Sequence, residues 1–243
     1  MNRRRCILGS TLFLGLLAVF PSESARAASP DLPNELEVEG IPPVYYYPPH
    51  NGGLQPVIMY LHGRGGYPME DCRKWAKVAR EFGWVVCPSG PDDRGGGARA
   101  WANNWLSAKN IVDKALAALR KKERRVQLRG NTIVGFSEGA FIAMNIGVRE
   151  PRVYNRWLIL AANDSYWGGE GQAELEKNGR KLRRVYLMTG QLDNALGATE
   201  RVFDILDAAG VHVMLRTPDD LGHEIPADRM RVLYQRPLTW LSR

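Results

Sequence analysis

Short apolar runs of strand length alternate with helical patterns along most of the chain. The runs that predict strands are Val44–Tyr47, Val57–Leu61, Trp84–Cys87, Thr132–Phe136, Trp157–Ala161, Val185–Met188 and Val211–Leu215. Apolar positions recur with helical spacing over Glu70–Glu81, Ala108–Glu123, Glu138–Val148, Thr199–Ala209 and Ala227–Leu241. Unbroken apolar strands are typical of parallel sheets that are buried on both faces. The alternation therefore predicts an α/β fold: one domain with a mostly parallel, doubly wound sheet flanked by helices.

Two longer loops follow predicted strands, at the edge of the sheet where α/β proteins bind ligands. They span Ser89–Asn104 and Asn163–Gln172. Trp101, Trp105 and Trp167 lie in or beside these loops, so they are candidates for lining a substrate pocket. The alternative is that the three indoles pack the loops onto the body of the domain.

The N-terminal segment has the pattern of a secretory signal peptide. Three arginines precede the apolar run Cys6–Phe20, and an A-x-A site ends at Ala27. The apolar run is shorter than the roughly 20 residues that span a bilayer, which favours cleavage over an uncut signal anchor. We expect a signal peptide at residues 1–27 and a mature domain at 28–243, exported to the periplasm or outside the cell without stable membrane insertion.

Composition agrees with one folded domain. The chain has 243 residues, 44% of them hydrophobic, with aromatic residues spread along its length, which excludes a disordered protein. Three cysteines in this length exclude a disulfide-dense miniprotein. The single long apolar run excludes a polytopic membrane protein.

The formal net charge is +7, and removal of residues 1–27 leaves +4. Much of the surplus lies in Arg120–Arg129 and Lys181–Arg184. A nucleic-acid site would interleave such residues with aromatic side chains, which these stretches lack, so no nucleic-acid partner is expected. A solvated helix end and loop is the simpler interpretation. A basic protein that adheres to surfaces without chemistry is an alternative that rests on these clusters alone.

Two cysteines remain after the expected cleavage. Cys72 falls near the start of a predicted helix, and Cys87 falls at the end of the next predicted strand. Both positions would lie at the same edge of a parallel sheet, and disulfides persist in oxidising compartments. A Cys72–Cys87 disulfide and two buried free thiols therefore stay open as alternatives.

The pentapeptide Gly135-Phe136-Ser137-Glu138-Gly139 matches the G-x-S-x-G pattern. It follows a predicted strand directly and opens a predicted helix, which is the strand–turn–helix context of a nucleophile elbow. The glycines leave room for a sharp turn that projects the serine hydroxyl above the sheet, near a helix N-terminus. We expect Ser137 to be a nucleophile.

A second glycine-rich turn, His62-Gly63-Arg64-Gly65-Gly66, follows the predicted strand Val57–Leu61. Backbone N–H groups in such a turn can stabilise a developing oxyanion. We expect the N–H groups of Arg64 and Glu138 to form this oxyanion hole, with Gly63 and Gly65 as rivals of Arg64. His62 precedes the glycines, where a packing role is the simpler interpretation.

In proteins with such a nucleophile elbow, the catalytic residues follow the chain order serine, acid, histidine. The general base is therefore expected after Ser137 in the sequence. His223 lies on the loop after the last predicted strand and is the histidine placed to reach Ser137. Asp193 and Asp164 each follow a predicted strand, and either could orient the base.

The segments LHGRGG, GFSEGA, TGQLD and LGHEIP together resemble the α/β-hydrolase superfamily. The resemblance covers about Val57 to Leu241 and is nearest to small carboxylesterases and phospholipases, dienelactone-hydrolase-like esterases and feruloyl esterases. It implies a cofactor-free serine esterase and favours Asp193 as the acid. Arg64 and Glu138 depart from the residues usual at their positions.

The sequence thus predicts a secreted hydrolase that cleaves small-molecule or polymer-linked carboxylic esters through an acyl-enzyme. It shows neither an H-E-x-x-H motif nor a cysteine–histidine cluster, so no metal is expected. A peptidase or amidase on the same fold and an inactive, hydrolase-like binding protein are the alternatives.

Overall fold

The computed structural model describes residues 32–163 and 167–243. The expected signal peptide and Asp164 lie outside these residues. In the part of the chain that is described, no helix is long and apolar enough to cross a membrane.

The central element is an eight-stranded sheet, beside which lies a separate hairpin. The strands are β1 (Asn34–Leu36), β2 (Val44–Tyr47), β3 (Val57–Leu61), β4 (Trp84–Pro88), β5 (Asp92–Gly95), β6 (Ala98–Ala100), β7 (Asn131–Phe136), β8 (Tyr154–Leu160), β9 (Arg184–Met188) and β10 (Val213–Arg216). The order in the large sheet is β1-β2-β4-β3-β7-β8-β9-β10, and β5 and β6 form the hairpin. Strand β2 pairs antiparallel with both β1 and β4, and the other pairs in the large sheet are parallel.

In the described part of the chain, six α-helices cover the two faces of the sheet. They are α1 (Pro68–Ala79), α2 (Trp105–Lys122), α3 (Glu138–Arg149), α4 (Gly168–Asn178), α5 (Leu196–Ala208) and α6 (Met230–Ser242). One apolar core joins one face of the sheet to α2, α3, α4 and α5. The other core joins the opposite face to α1 and α6. The predicted α/β fold with a mostly parallel sheet between two helical layers is confirmed.

The structure adds elements that the apolar pattern did not predict. The predicted loop Ser89–Asn104 contains the β5–β6 hairpin, whose strand β5 is largely exposed and therefore carries no apolar run. The predicted loop Asn163–Gln172 contains the start of α4. The helix was not predicted there because its first residues, GGEG, hide the helical pattern. The last strand begins at Val213 rather than Val211, which leaves His212 just before it.

The register of the parallel strands brings their carboxyl ends to one level. Leu61 at the end of β3 pairs with Gly135 of β7, and Phe136 pairs with Leu160 at the end of β8. Leu160 in turn pairs with Met188, the last residue of β9. The loops that follow these strands therefore meet along one edge of the sheet, as expected for ligand sites in α/β folds.

Candidate active site

Ser137 lies in the sharp turn between β7 and α3. Its backbone has φ 54° and ψ −117°, a left-handed conformation that non-glycine residues rarely adopt. Neighbouring glycines make the turn possible: a Cβ on Gly139 would lie 2.1 Å from the carbonyl oxygen of Leu61. On Gly135 it would lie 2.3 Å from the carbonyl oxygen of Gly139. The strain is therefore held by close backbone packing on both sides of Ser137.

A chain of hydrogen bonds links Ser137 to two other predicted site residues. His223 Nε2 lies 2.9 Å from Ser137 Oγ, and His223 Nδ1 lies 2.9 and 3.0 Å from the two carboxylate oxygens of Asp193. The Asp193 carboxylate is buried and also accepts a hydrogen bond from the N–H of Ala195. Phe136 packs against the imidazole, with 4.9 Å between ring centroids. The histidine is thus bonded through both nitrogens and supported on one face.

The loops that carry Asp193 and His223 are joined by backbone contacts. Leu192 donates from its N–H to the carbonyl oxygen of Leu221, and Gln191 donates to that of Pro218. A Cβ on Gly190 would lie only 1.7 Å from the carbonyl oxygen of Leu221. Because the two loops are packed this closely, they fix the position of the Asp193 carboxylate relative to the His223 imidazole.

His62 is a buried packing residue that orients the glycine-rich turn after β3. Its Nδ1 donates to the carbonyl oxygen of Gly63 at 2.8 Å, and its Nε2 accepts from the N–H of Gly90 at 3.0 Å. This pattern requires the neutral ring, and burial lowers its pKa. A trans peptide unit is planar with its C=O and N–H opposed, so the N–H of Arg64 points away from His62.

The N–H groups of Arg64 and Glu138 are available to a ligand. Neither has an acceptor among the residues that the structure describes. Gly63 passes directly against the serine, since a Cβ on it would lie 3.3 Å from Ser137 Cβ. The two N–H groups predicted as oxyanion donors therefore belong to turns that flank Ser137.

The carboxylate of Glu138 has a role that the sequence analysis missed. It accepts hydrogen bonds from the N–H of Trp101 at 2.9 Å, the N–H of Asn103 at 3.0 Å and Arg64 Nη2 at 2.8 Å. The Glu138 side chain is 3% exposed and that of Arg64 is 50% exposed. Both Ala102 and Asn103 have φ 52°. Glu138 thus ties a strained turn of the loop before α2 to the turn that contains Ser137.

A cavity of about 570 Å³ opens beside Ser137. Its wall is mostly polar or small, and includes Arg64, Asn103, Asn163, Asn194, Phe141, Ala161, Ala195, Ala198 and His223. The three asparagines and the guanidinium of Arg64 offer hydrogen-bond donors to a polar ligand. Among the described residues of this wall, Phe141 is the one large apolar side chain.

The three tryptophans predicted as substrate-binding residues are not part of the described cavity wall. Trp101 is fully buried, stacks on His62 and donates from Nε1 to the carbonyl oxygen of His62. Trp167 is buried in the larger core, and Trp105 packs under the guanidinium of Arg149. The expectation of a pocket lined by indoles is corrected: these side chains pack the loops onto the domain.

Cys72 and Cys87 are free thiols in the structure, and both are buried. Burial raises the pKa of the Cys87 thiol, and its hydrogen bond with Cys72 raises it further. A bridge between these neighbouring residues stays a prediction. If it forms in the exported protein, alkylation of the unfolded chain labels both thiols only after reduction, and peptide mass spectrometry then finds the two residues linked.

Within residues 32–163 and 167–243, no group of three or more His, Cys, Asp or Glu side chains could hold a metal ion.

Several solved structures with a similar fold are esterases or related hydrolases. Esterase PE8 superposes with a TM-score of 0.61 at 22% identity, covering 81% of this chain and 95% of its own. An S-formylglutathione hydrolase from Agrobacterium tumefaciens gives a TM-score of 0.62 at 18% identity, covering 82% and 88%. Acyl-protein thioesterase 2 from Zea mays gives 0.62 at 16%, covering 82% and 99%. At these identities the likeness shows the fold, and a comparison with curated protein sequences finds no match.

These neighbours share the α/β fold of this chain, and its family is shown by a sequence match. Residues 29–202 match the model of the Esterase family. The chain belongs to the Esterase family and is a carboxylic ester hydrolase.

Proposed function

We propose that Ser137, His223 and Asp193 form the catalytic triad of this esterase. The observation that carries the proposal is the continuous hydrogen-bonded chain from Ser137 Oγ through both nitrogens of His223 to the buried carboxylate of Asp193. In such a chain the carboxylate fixes the tautomer that leaves Nε2 free to accept the serine proton. The proposal assigns Ser137 as nucleophile, His223 as general base and acid, and Asp193 as its partner.

Acyl transfer then follows from the geometry. Ser137 Oγ attacks the ester carbonyl carbon while His223 Nε2 takes its proton, and the carbonyl oxygen becomes an oxyanion. The N–H groups of Arg64 and Glu138 donate to that oxyanion. The C–O bond to the alcohol breaks as His223 protonates the leaving oxygen, which gives an acyl-enzyme. Water, deprotonated by His223, attacks the acyl carbon. The bond to Ser137 Oγ then breaks as His223 returns the proton to Oγ, which releases the acid and restores Ser137.

The cavity wall supports esters with a polar or anionic substituent of modest size. In the described part of the wall, Phe141 alone offers a long acyl chain a large apolar surface, whereas Arg64 and the three asparagines can hydrogen-bond oxygen atoms of a substrate. The N-terminal pattern supports an enzyme that acts after export, in the periplasm or outside the cell.

The test compares the chain from Ala28 with its Ser137→Ala variant on p-nitrophenyl acetate, butyrate and octanoate. We expect turnover that Ser137→Ala abolishes, fastest on the acetate, and covalent labelling of Ser137 by a fluorophosphonate. If the parent chain hydrolyses none of the three faster than Ser137→Ala and takes no label, the assignment of the triad is wrong.

A further inference from the structure

The amino-terminal edge of the sheet, opposite the catalytic edge, carries a continuous basic surface. We define this basic edge as residues 120–130, 152–156 and 179–184, which lie before or at the start of β7, β8 and β9. Backbone hydrogen bonds join these segments: Gly130 N–H donates to the carbonyl oxygen of Arg152, and Arg183 N–H donates to that of Asn155. The three segments therefore form one surface rather than separate clusters.

The charge on this surface is strongly one-sided. Its three segments contain twelve basic residues and one acidic residue, Glu123. Nine of the twelve are exposed: Lys121, Lys122, Arg124, Arg125, Arg129, Arg152, Arg180, Lys181 and Arg183. Among the residues that the structure describes, none of the twelve forms a salt bridge, whereas many basic residues elsewhere pair with carboxylates. Lys181 acts electrostatically on Glu174, but the basic edge keeps a large excess of positive charge.

Arg156 lies among like charges. Burial lowers the pKa of its guanidinium, and the positive charges of Arg183 and Arg184 lower it further. The guanidinium donates to the carbonyl oxygen of Gly130. Like charges held close together destabilise the domain, so binding of an anionic partner at this edge would relieve their repulsion.

Two large apolar side chains project from the same surface. Leu128 is 67% exposed, and Leu54 is 61% exposed. Leu54 adjoins Gln55, whose N–H donates to the carbonyl oxygen of Arg125 and whose own carbonyl oxygen accepts from the N–H of Gln127. The leucines therefore stand beside the exposed arginines of the loop before β7, which makes the surface both cationic and locally apolar.

We propose that the basic edge docks peripherally on an anionic phospholipid bilayer, with its arginines and lysines on headgroup phosphates and with Leu54 and Leu128 between the headgroups. Lipid surfaces attract such clusters strongly, and apolar side chains add a second attachment. A nucleic acid fits less well, because Tyr154, the one aromatic residue in the three segments, is buried. Docking in this orientation leaves Ser137, at the opposite edge, facing solvent.

The test measures co-sedimentation of the chain from Ala28, which contains every described helix and strand, with sucrose-loaded vesicles. One set is phosphatidylcholine alone, and the other also contains phosphatidylglycerol. We expect binding only to the second set, weakening as salt rises. Replacing Arg124, Arg125 and Arg129 together by Gln is expected to weaken binding by about a hundredfold, since each basic side chain near such a surface contributes about fivefold.

A matched control removes three positive charges elsewhere. Arg73→Gln, Lys74→Gln and Arg94→Gln leave the same net charge but change residues that pair with carboxylates away from the basic edge. This control is expected to bind the vesicles as the parent does. All variants are checked for parental thermal unfolding. Vesicle binding by Ser137→Ala is expected to stay at the parental level. The vesicle assay therefore tests the basic edge independently of the proposed triad.

The leucines distinguish lipid from other polyanions. The pair Leu54→Ser and Leu128→Ser, which changes no charge, is expected to weaken vesicle binding several-fold and to leave any binding to duplex DNA unchanged. The proposal is overturned if the arginine variant and its charge-matched control bind the vesicles equally. It is also overturned if the leucine pair has no effect on vesicle binding while duplex DNA binds more tightly than the vesicles.

Discussion

Replacing Glu138 tests whether its carboxylate holds the active-site loops together. Glu138→Ala removes the acceptor of two backbone N–H groups, those of Trp101 and Asn103, and of the guanidinium of Arg64. A buried donor left without an acceptor costs about 1–3 kcal/mol. Arg64 is half-exposed and regains water, so it adds at most about 1 kcal/mol. We expect the free energy of unfolding to fall by about 2–7 kcal/mol.

Glu138→Gln separates hydrogen bonding from packing, because the side chain keeps its shape. Oε1 accepts from Arg64 and Asn103, whereas Oε2 accepts from Trp101. The amide oxygen can keep the first two bonds, but the amide nitrogen then faces the N–H of Trp101, donor against donor. One bond is lost, so we expect a loss of about 1–2 kcal/mol.

Urea unfolding followed by tryptophan fluorescence measures both losses, with Glu70→Ala as control. Glu70 also pairs with an arginine, Arg73, but at the surface, so its removal is expected to change stability by less than about 1 kcal/mol. Activity of Glu138→Ala on p-nitrophenyl acetate is expected to fall about tenfold to a hundredfold, because the loop beside Ser137 is released. The reasoning is refuted if Glu138→Ala unfolds within about 1 kcal/mol of the parent, or if the glutamine variant loses as much as the alanine variant.

Three further substitutions probe the supports of the proposed triad. Asp193→Asn is expected to lower kcat by about 10⁴-fold with little change in KM, since the histidine would take the wrong tautomer, and steady-state kinetics tests this; a loss below tenfold would exclude Asp193 as the acid. For His62, whose folded pKa lies below its ordinary value of 6.5, the unfolded state binds the proton first. Stability therefore falls as pH drops below about 6.5, by up to about 1.4 kcal/mol per pH unit. His62→Gln removes the titrating ring, so it is expected to reduce the difference in unfolding free energy between pH 5 and pH 7, measured by urea titration. An unchanged difference would contradict the argument. Gly190→Ala is expected to lower both the melting temperature and kcat, because the added Cβ would clash with the backbone of the loop that carries His223. Gly222→Ala serves as control, since its Cβ would meet nothing within 4 Å. Parental values for both variants would show that the two loops are not closely packed.

The residues that the structure brings together at Ser137 are largely those that short sequence patterns indicated. Ser137, Asp193 and His223 each follow an apolar strand, and the carboxyl ends of parallel strands must meet at one edge. The role of the Glu138 carboxylate could not be read in this way. Its partners Trp101 and Asn103 lie 37 and 35 residues away in sequence, in a turn whose positive φ no local pattern announces.

The tryptophans show a different limit of sequence reasoning. An indole in a loop has the size to line a pocket and the apolar surface to pack a core, and composition does not decide between the two. Trp101 packs into the core because His62 stacks on its ring and offers a carbonyl oxygen to its Nε1–H. Helix α4 was missed because two glycines open it, although its later residues are good helix formers.

The sheet ends in two very short strands, β1 with three residues and β10 with four. Each outer edge therefore exposes only a short row of unpaired N–H and C=O groups, and a strand of another chain can form few hydrogen bonds with it. Long flat edges invite strand addition and fibrous aggregation, so curtailing them protects a protein while many copies fold at once. A chain built this way is suited to renaturation at high concentration, where an eight-stranded sheet with open sides would otherwise associate edge to edge.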